Sequence, residues 1–169
     1  MDIIEGIMTR TSIRKFTGEI IDKQQLDTLL KAGFQAPTAH NFQPWEFIVV
    51  QDREILQEIK NFHKYAKMVM DAGTAIIVCG DMVKQRNRGF LTCDTSAAIQ
   101  NMLLAAHGLG LGAVWCGIYD KEELVDNMRK TLQLPENILP VGMVVVGNKK
   151  EDRTPIDRYD ENKIHYNRW

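Results

Sequence analysis

A chain of 169 residues, 44% of them hydrophobic, has the size of one compact domain and enough apolar surface to build a core without disulfides or a metal. A formal charge of −1, with Lys and Arg scattered along the chain, excludes the basic stripe of a nucleic-acid binder. Cys79, Cys93 and Cys116 are odd in number, lack CxxC spacing and sit in or beside apolar stretches, which predicts free thiols in a reducing compartment. No basic patch leads into an apolar segment, and runs such as Met143 to Val146 fall far short of the roughly 18 residues of a membrane span, so the expected location is cytoplasmic.

After a short opening helix pattern, Arg10, Ser12 and Arg14 recur two apart, so in an extended stretch their side chains project to one side. Two forked guanidiniums and a hydroxyl suit a phosphate, although alternating charge also describes a solvated edge. From Asp22 to Ala36 the spacing of Leu26, Leu29, Leu30 and Phe34 predicts a helix, with a capping box from Asp22 and Gln25 and a staple from Ile21 onto Leu26. Pro37 ends it.

The connector from Pro37 to Trp45 holds Asn41 and Gln43 between two prolines. Their carboxamides match the imide edge of a flavin or pyrimidine-like ring, and Trp45 can anchor the loop in the core; a plain helix-to-strand turn has the same residue types. Glu46 to Gln51 reads as a strand, Ile55, Leu56, Ile59 and Phe62 mark a helix, and Thr74 to Cys79 is a buried strand. Gly80 to Gly89 is polar enough for a mobile, lid-like loop.

Asp94 to Gly108 is apolar almost all round, as in a helix buried on more than one side, and this predicts a second subunit covering part of it. A strand at Gly112 to Ile118, a helix from Lys121 to Leu132 capped by Asp120 and Glu123, and a strand at Val141 to Val146 follow. Gly108, Gly110 and Gly112 lie between a helix and a strand, the reverse of the dinucleotide fingerprint, so they read as helix-ending and packing glycines. Gly117 could let the backbone approach a planar ligand. The charged segment from Asn148 onward finishes in aromatic residues that seek cover.

Hydrolytic chemistry has little support: the only serines are Ser12 and Ser96, and no pattern links a Cys with a His and a third partner. The histidines lack metal-ligand spacing, so no metal is expected; His107 reads as a core or interface residue, and His40 and His63 as ordinary loop or surface residues.

Taken in order, Arg-Thr-Ser-Ile-Arg, the stretch Ala-Pro-Thr-Ala-His-Asn-Phe-Gln-Pro-Trp-Glu-Phe, the Ala-Ala-Ile-Gln-Asn helix and the His-Tyr-Asn-Arg-Trp ending resemble the nitroreductase family over nearly the whole chain. The resemblance implies an α+β, three-layer α-β-α fold with residues 1–169 as a single FMN-binding domain. It also implies an intertwined homodimer with two FMN molecules at the interface, the C-terminal segment crossing to the partner's sheet. By position, Arg10, Thr11, Ser12 and Arg14 match the first phosphate and ring-edge contacts, and Arg158 the distal phosphate arginine, with Arg153 second to it. Pro37, Thr38, His40, Asn41 and Gln43 match the loop that reaches the flavin, and Cys116 with Gly117 the backbone beside the reactive ring nitrogen. Phe42 and Phe90 are candidates to line the acceptor site.

The implied activity passes electrons from NADH or NADPH through FMN to a small electron-poor acceptor, nitroaromatic or quinone-like, by a ping-pong mechanism, with no side chain needed as a catalyst. Two other readings keep the flavin: a redox sensor or storage module without turnover, and a related reductive dehalogenase or ene-type reductase. In two places the chain departs from the family pattern: Thr11 stands where many relatives carry a basic residue or histidine, and little is inserted between Phe62 and Cys93, which implies an open acceptor site.

Overall fold

In the computed structural model, which describes residues 1–169, four strands make one antiparallel sheet. They are β1 (Trp45–Val50), β2 (Thr74–Asp81), β3 (Gly112–Gly117) and β4 (Ile138–Gly147), in the order β1-β2-β4-β3. β2 and β4 lie at the centre and are buried on both faces, which is why they read as continuous apolar runs rather than as alternation. Ile77, Cys79, Met143 and Val145 face α3 (Arg53–Phe62), α4 (Val69–Ala72) and α6 (Glu122–Leu132). Ile76, Val78, Val144 and Val146 face α2 (Lys23–Phe34) and α5 (Arg88–Gly108). The result is a three-layer α-β-α arrangement with a core on each side of the sheet.

Local chemistry sets the helix starts. The Asp22 carboxylate accepts from the Gln25 N–H while the Gln25 side chain accepts from the Asp22 N–H, closing the expected box, and Ile21 and Leu26 pack in one cluster. α5 begins six residues before the expected Asp94, because Asn87 caps it by accepting from the Phe90 N–H. For α6 the expected cap does not form: Asp120 lies in the left-handed region (φ 73°), and Lys121 occupies the cap position without a side-chain bond.

The expected loop from Gly80 to Gly89 is shorter than its composition suggests, since β2 runs to Asp81 and α5 takes Arg88 and Gly89. The remaining turn is tied down at Asp81. Its Oδ1 accepts from the Val83 N–H (2.8 Å) and from Asn137 Nδ2 (2.9 Å), and its carbonyl from the Gln85 N–H (3.0 Å).

An extended strap from Ile13 to Thr17 binds the first part of the chain to its later parts. Ile13 N–H donates to the Ala113 carbonyl (3.0 Å), Thr17 N–H to that of Asn148 (2.9 Å), and Lys150 N–H to that of Lys15 (2.9 Å). Outside this framework two regions leave apolar surface uncovered. α1 (Ile3–Thr9) exposes Ile3, Ile4, Ile7 and Met8, and the segment after Glu151 runs without a strand partner, exposing Ile156, Tyr159, Tyr166 and Trp169. No helix is long and apolar enough to cross a membrane.

Candidate functional site

The strap presents the N-terminal arginines. Ile13 is buried and turned to the core, which leaves the residues on either side of it to face outward. Arg10 is partly buried beside His107, and burial, followed by the charge of Arg158, pushes its guanidinium below its ordinary value. Arg10 and Arg158 therefore sense one another, and neither has a carboxylate partner. Arg153 is engaged with Glu151 at 3.4 Å. Thr11 lines the same small hollow as Arg10, and Ser12, midway along the strap between Arg10 and Arg14 in sequence, is half-buried. Arg14 opens on a different hollow, so the strap distributes its cations along a line rather than converging them at one point.

That second hollow, about 440 Å³, is lined by Arg14, His63, Tyr65, Trp115, Cys116 and Gly117 among others, with Lys121 at its rim and no carboxylate. Its volume falls in the range of small-molecule sites. A methyl group on Gly117 would meet no atom of this chain, so the backbone here borders open space. The Cys116 thiol is buried and pushed up to about 11 by that burial, with Arg14 opposing. It is a neutral thiol at physiological pH, and what the segment offers a ligand is backbone.

His63, expected as an ordinary loop or surface residue, lies in the turn that ends α3 but not on the surface. It is 1% exposed, and its Nε2 lies 3.0 Å from the Gly117 carbonyl. A carbonyl only accepts, so Nε2 carries a proton and donates it to Gly117, while burial lowers the pKa of the ring below its ordinary value. The physical reason for burial is the end of α3, which turns at His63 and drives the ring under β3. A lone histidine next to charged residues carries no sign of a partner that lies 54 positions away in sequence.

The loop after α2 is held in an unusual shape. His40, Asn41 and Gln43 all have positive φ (55°, 55° and 50°), a region that costs a non-glycine residue free energy unless its surroundings enforce it. They do: Thr38 Oγ1 accepts from the Gln43 N–H (3.1 Å), Gln43 Nε2 donates to Asn41 Oδ1 (3.3 Å), and the Ala39 N–H donates to Asp94 Oδ1 (2.8 Å). Asp94 is 4% exposed; the sequence marked it as the start of a helix and not as a support for this loop. Trp45 is buried and anchors the loop. Pro37, His40, Asn41, Phe42 and Gln43 remain exposed.

Phe42 and Phe90, distant in sequence, meet at His40, with ring centroids 5.3 Å and 6.4 Å from the imidazole. The groove they share borders the Met82 to Asn87 turn. It has no lining residue in common with the Gly117 hollow, so within one chain the candidate residues form two separate surfaces.

Comparison with known proteins places this arrangement. A Methanothermobacter thermautotrophicus protein with the provisional name NADH dehydrogenase/NAD(P)H nitroreductase is 42% identical over 169 residues, covering 100% of this chain and 88% of its own. A crystal structure from Parabacteroides distasonis with the same provisional name superposes with a TM-score of 0.95 at 39% identity, over 98% of each chain. An FMN-dependent nitroreductase from Clostridium difficile superposes with a TM-score of 0.91 at 27% identity, over 99% of this chain and 100% of its own. The model of the Nitroreductase family matches residues 7–85 and 61–148, and the chain belongs to that family.

Proposed function

We propose that residues 1–169 form one FMN-binding domain that passes electrons from NADH or NADPH to a small electron-poor acceptor, a nitroaromatic or a quinone, in a ping-pong cycle, and that it does so as a cytoplasmic homodimer. The observation that carries this reading is the carboxylate-free hollow at Gly117, bordered by Arg14 and continued along the strap by Ser12 and Arg10 toward Arg158. Such a line of cations ending at an unobstructed glycine suits a planar ring with a phosphate tail. Bound FMN would supply the hydride chemistry, accepting from the nicotinamide and passing it on.

The chain's own residues then have distinct tasks. Arg10, Ser12 and Arg158, with Thr11 beside them, hold the phosphate, whose charge relieves the repulsion between the two guanidiniums. Arg14 stands where negative charge develops on the ring edge, and the Cys116–Gly117 backbone lies against the ring. Pro37, Thr38, His40, Asn41 and Gln43 close the site from the other chain, which supports the homodimer: the loop surface and the Gly117 hollow are separate in one chain. The uncovered apolar residues of α1 and of the segment after Glu151 supply surface for the partner.

The test is an absorbance spectrum of the purified protein, followed anaerobically as NADH and then NADPH is added. An oxidised flavin spectrum that bleaches is the expected result; a colourless protein that FMN cannot reconstitute would overturn the reading. Arg14→Ala should weaken FMN retention on dialysis, and steady NAD(P)H oxidation with an added nitroarene would separate turnover from mere flavin storage.

A further inference from the structure

The groove at His40, Phe42 and Phe90 has a chemistry of its own. About 460 Å³ in volume, it is lined by those three rings together with Val83, Lys84, Gln85, Arg86 and Asn87, and by no Asp or Glu. One wall is aromatic: both phenylalanines are 48% exposed, and the His40 ring stands nearly perpendicular to Phe90 and tilted on Phe42. Planar apolar ligands suit that wall.

The rest of the lining is cationic and carries an unused donor. Lys84 is paired with Glu46 at 3.1 Å, whereas Arg86 has no carboxylate partner. Gln85 is 3% exposed; its Oε1 accepts from the Asn87 N–H (3.1 Å), which fixes the amide orientation, and its Nε2 donates to nothing. A buried amide donor left without an acceptor keeps the cost of its lost water without a replacement bond, and a ligand oxygen would supply that bond. The turn that presents both residues is pinned through Asp81 to Asn137, so the backbone that carries the buried donor and Arg86 is held before a ligand arrives.

We infer that this groove selects the acceptor: it binds planar aromatic compounds bearing a carboxylate, with the ring against Phe42 and Phe90 and the carboxylate at Arg86 and Gln85 Nε2. Chemically, that is a preference for nitrobenzoate-like or carboxyquinone-like acceptors over uncharged ones. The inference rests on the proposed function for its redox meaning, but not for its binding.

The experiment is titration calorimetry of the purified protein, as isolated, with 4-nitrobenzoate and with 4-nitrobenzamide, which share the ring and the nitro group and differ in charge. The benzoate should bind about tenfold more tightly at low salt, the scale of one charge-assisted hydrogen bond. Arg86→Glu should abolish that ratio, Arg86→Lys should retain part of it, and Gln85→Leu should reduce it. Arg86 is exposed, so its variants separate a lost contact from a lost fold. Equal affinities for the two compounds, no binding of either, or a ratio that survives Arg86→Glu would overturn the inference. If the ratio behaves as expected and the protein holds no flavin, the groove stands and the redox reading falls. If flavin bleaches with NAD(P)H and the ratio is one, the reverse holds.

Discussion

Two glycines give opposite expectations for the same substitution. At Gly147 an added Cβ would lie 2.6 Å from the Ala72 carbonyl oxygen and 3.0 Å from its Cα, both backbone atoms that cannot swing aside. Gly147→Ala should cost about 3 kcal/mol in urea unfolding, with little direct effect on a ligand. Gly117→Ala, whose methyl meets nothing, should leave the unfolding midpoint near that of the parent while lowering FMN affinity, measured by fluorescence titration. The thiols divide as well. Burial, with Glu46 adding to it, pushes Cys79 up to about 12, and burial pushes Cys116 up to about 11, while Cys93 is exposed. In the native protein a thiol-specific disulfide reagent should therefore leave two of the three cysteines intact, and in denaturant it should reach all three. Because these folded-state values lie above the ordinary 9.0, their contribution to stability is full below that pH and is lost as pH rises toward 11 or 12. At this scale the sequence showed the residues that cluster locally, such as the Thr38 to Gln43 loop between its prolines. His63, Asp94 and Gln85 were invisible as functional candidates because each is a single polar residue whose partner or cavity is assembled from elsewhere in the chain.

Among the elements, periodicity located α2, α3 and all four strands, because each carries one apolar face or an apolar run bounded by turn residues. It missed the first six residues of α5, where Arg88 to Cys93 have no clear apolar stripe and the Asn87 cap decides the start. It also assigned a cap to α6 that the left-handed Asp120 cannot make. Where the cap does form, Asp22→Ala should lower stability by about 1 kcal/mol in thermal or urea unfolding. The end of α3 supplies a pH dependence. Burial is the largest influence on His63 and lowers its pKa below 6.5; its bond to Gly117 opposes this, and Lys121 adds to it. The unfolded chain thus takes up the proton first, so this group's contribution is full above about pH 6.5 and is lost as pH falls through the folded value. His63→Gln should flatten the decline in urea midpoint between about pH 7 and pH 5. An unchanged slope would show that His63 does not couple folding to pH.

For the whole molecule, the quantity at stake is the apolar surface that one chain leaves in water. Ile3, Ile4, Ile7 and Met8 on α1, with Ile156, Tyr159, Tyr166 and Trp169 beyond the sheet, are each more than half exposed. Residues Leu104, Ala105 and His107 of α5 are only half covered. The proposed homodimer accounts for all three sets, and light scattering of the purified protein should give twice the chain mass. Removing residues 154–169 should lower both that mass and the flavin content, since the cut takes away Arg158 together with the aromatic segment; a dimer that keeps its flavin would place the interface elsewhere. The nearly all-round apolar stretch of α5 is what led the sequence to predict a partner; the shape of the proposed contact was not legible there, because it would draw on exposed surfaces at both ends of the chain.

The strap also sets an order of events during synthesis. Residues 13–17 find their hydrogen-bond partners at Ala113 and at 148–150, so Arg10, Ser12 and Arg14 acquire their positions only after nearly the whole chain has left the ribosome. The central strand β4 and the strap's last anchors emerge together, which makes completion of the sheet and assembly of the proposed binding site a single late step. A nascent or truncated chain that ends before residue 148 can form its helices and its β1–β2 pair, yet it lacks the strap's anchors at Asn148 and Lys150, so the proposed phosphate site would be left incomplete.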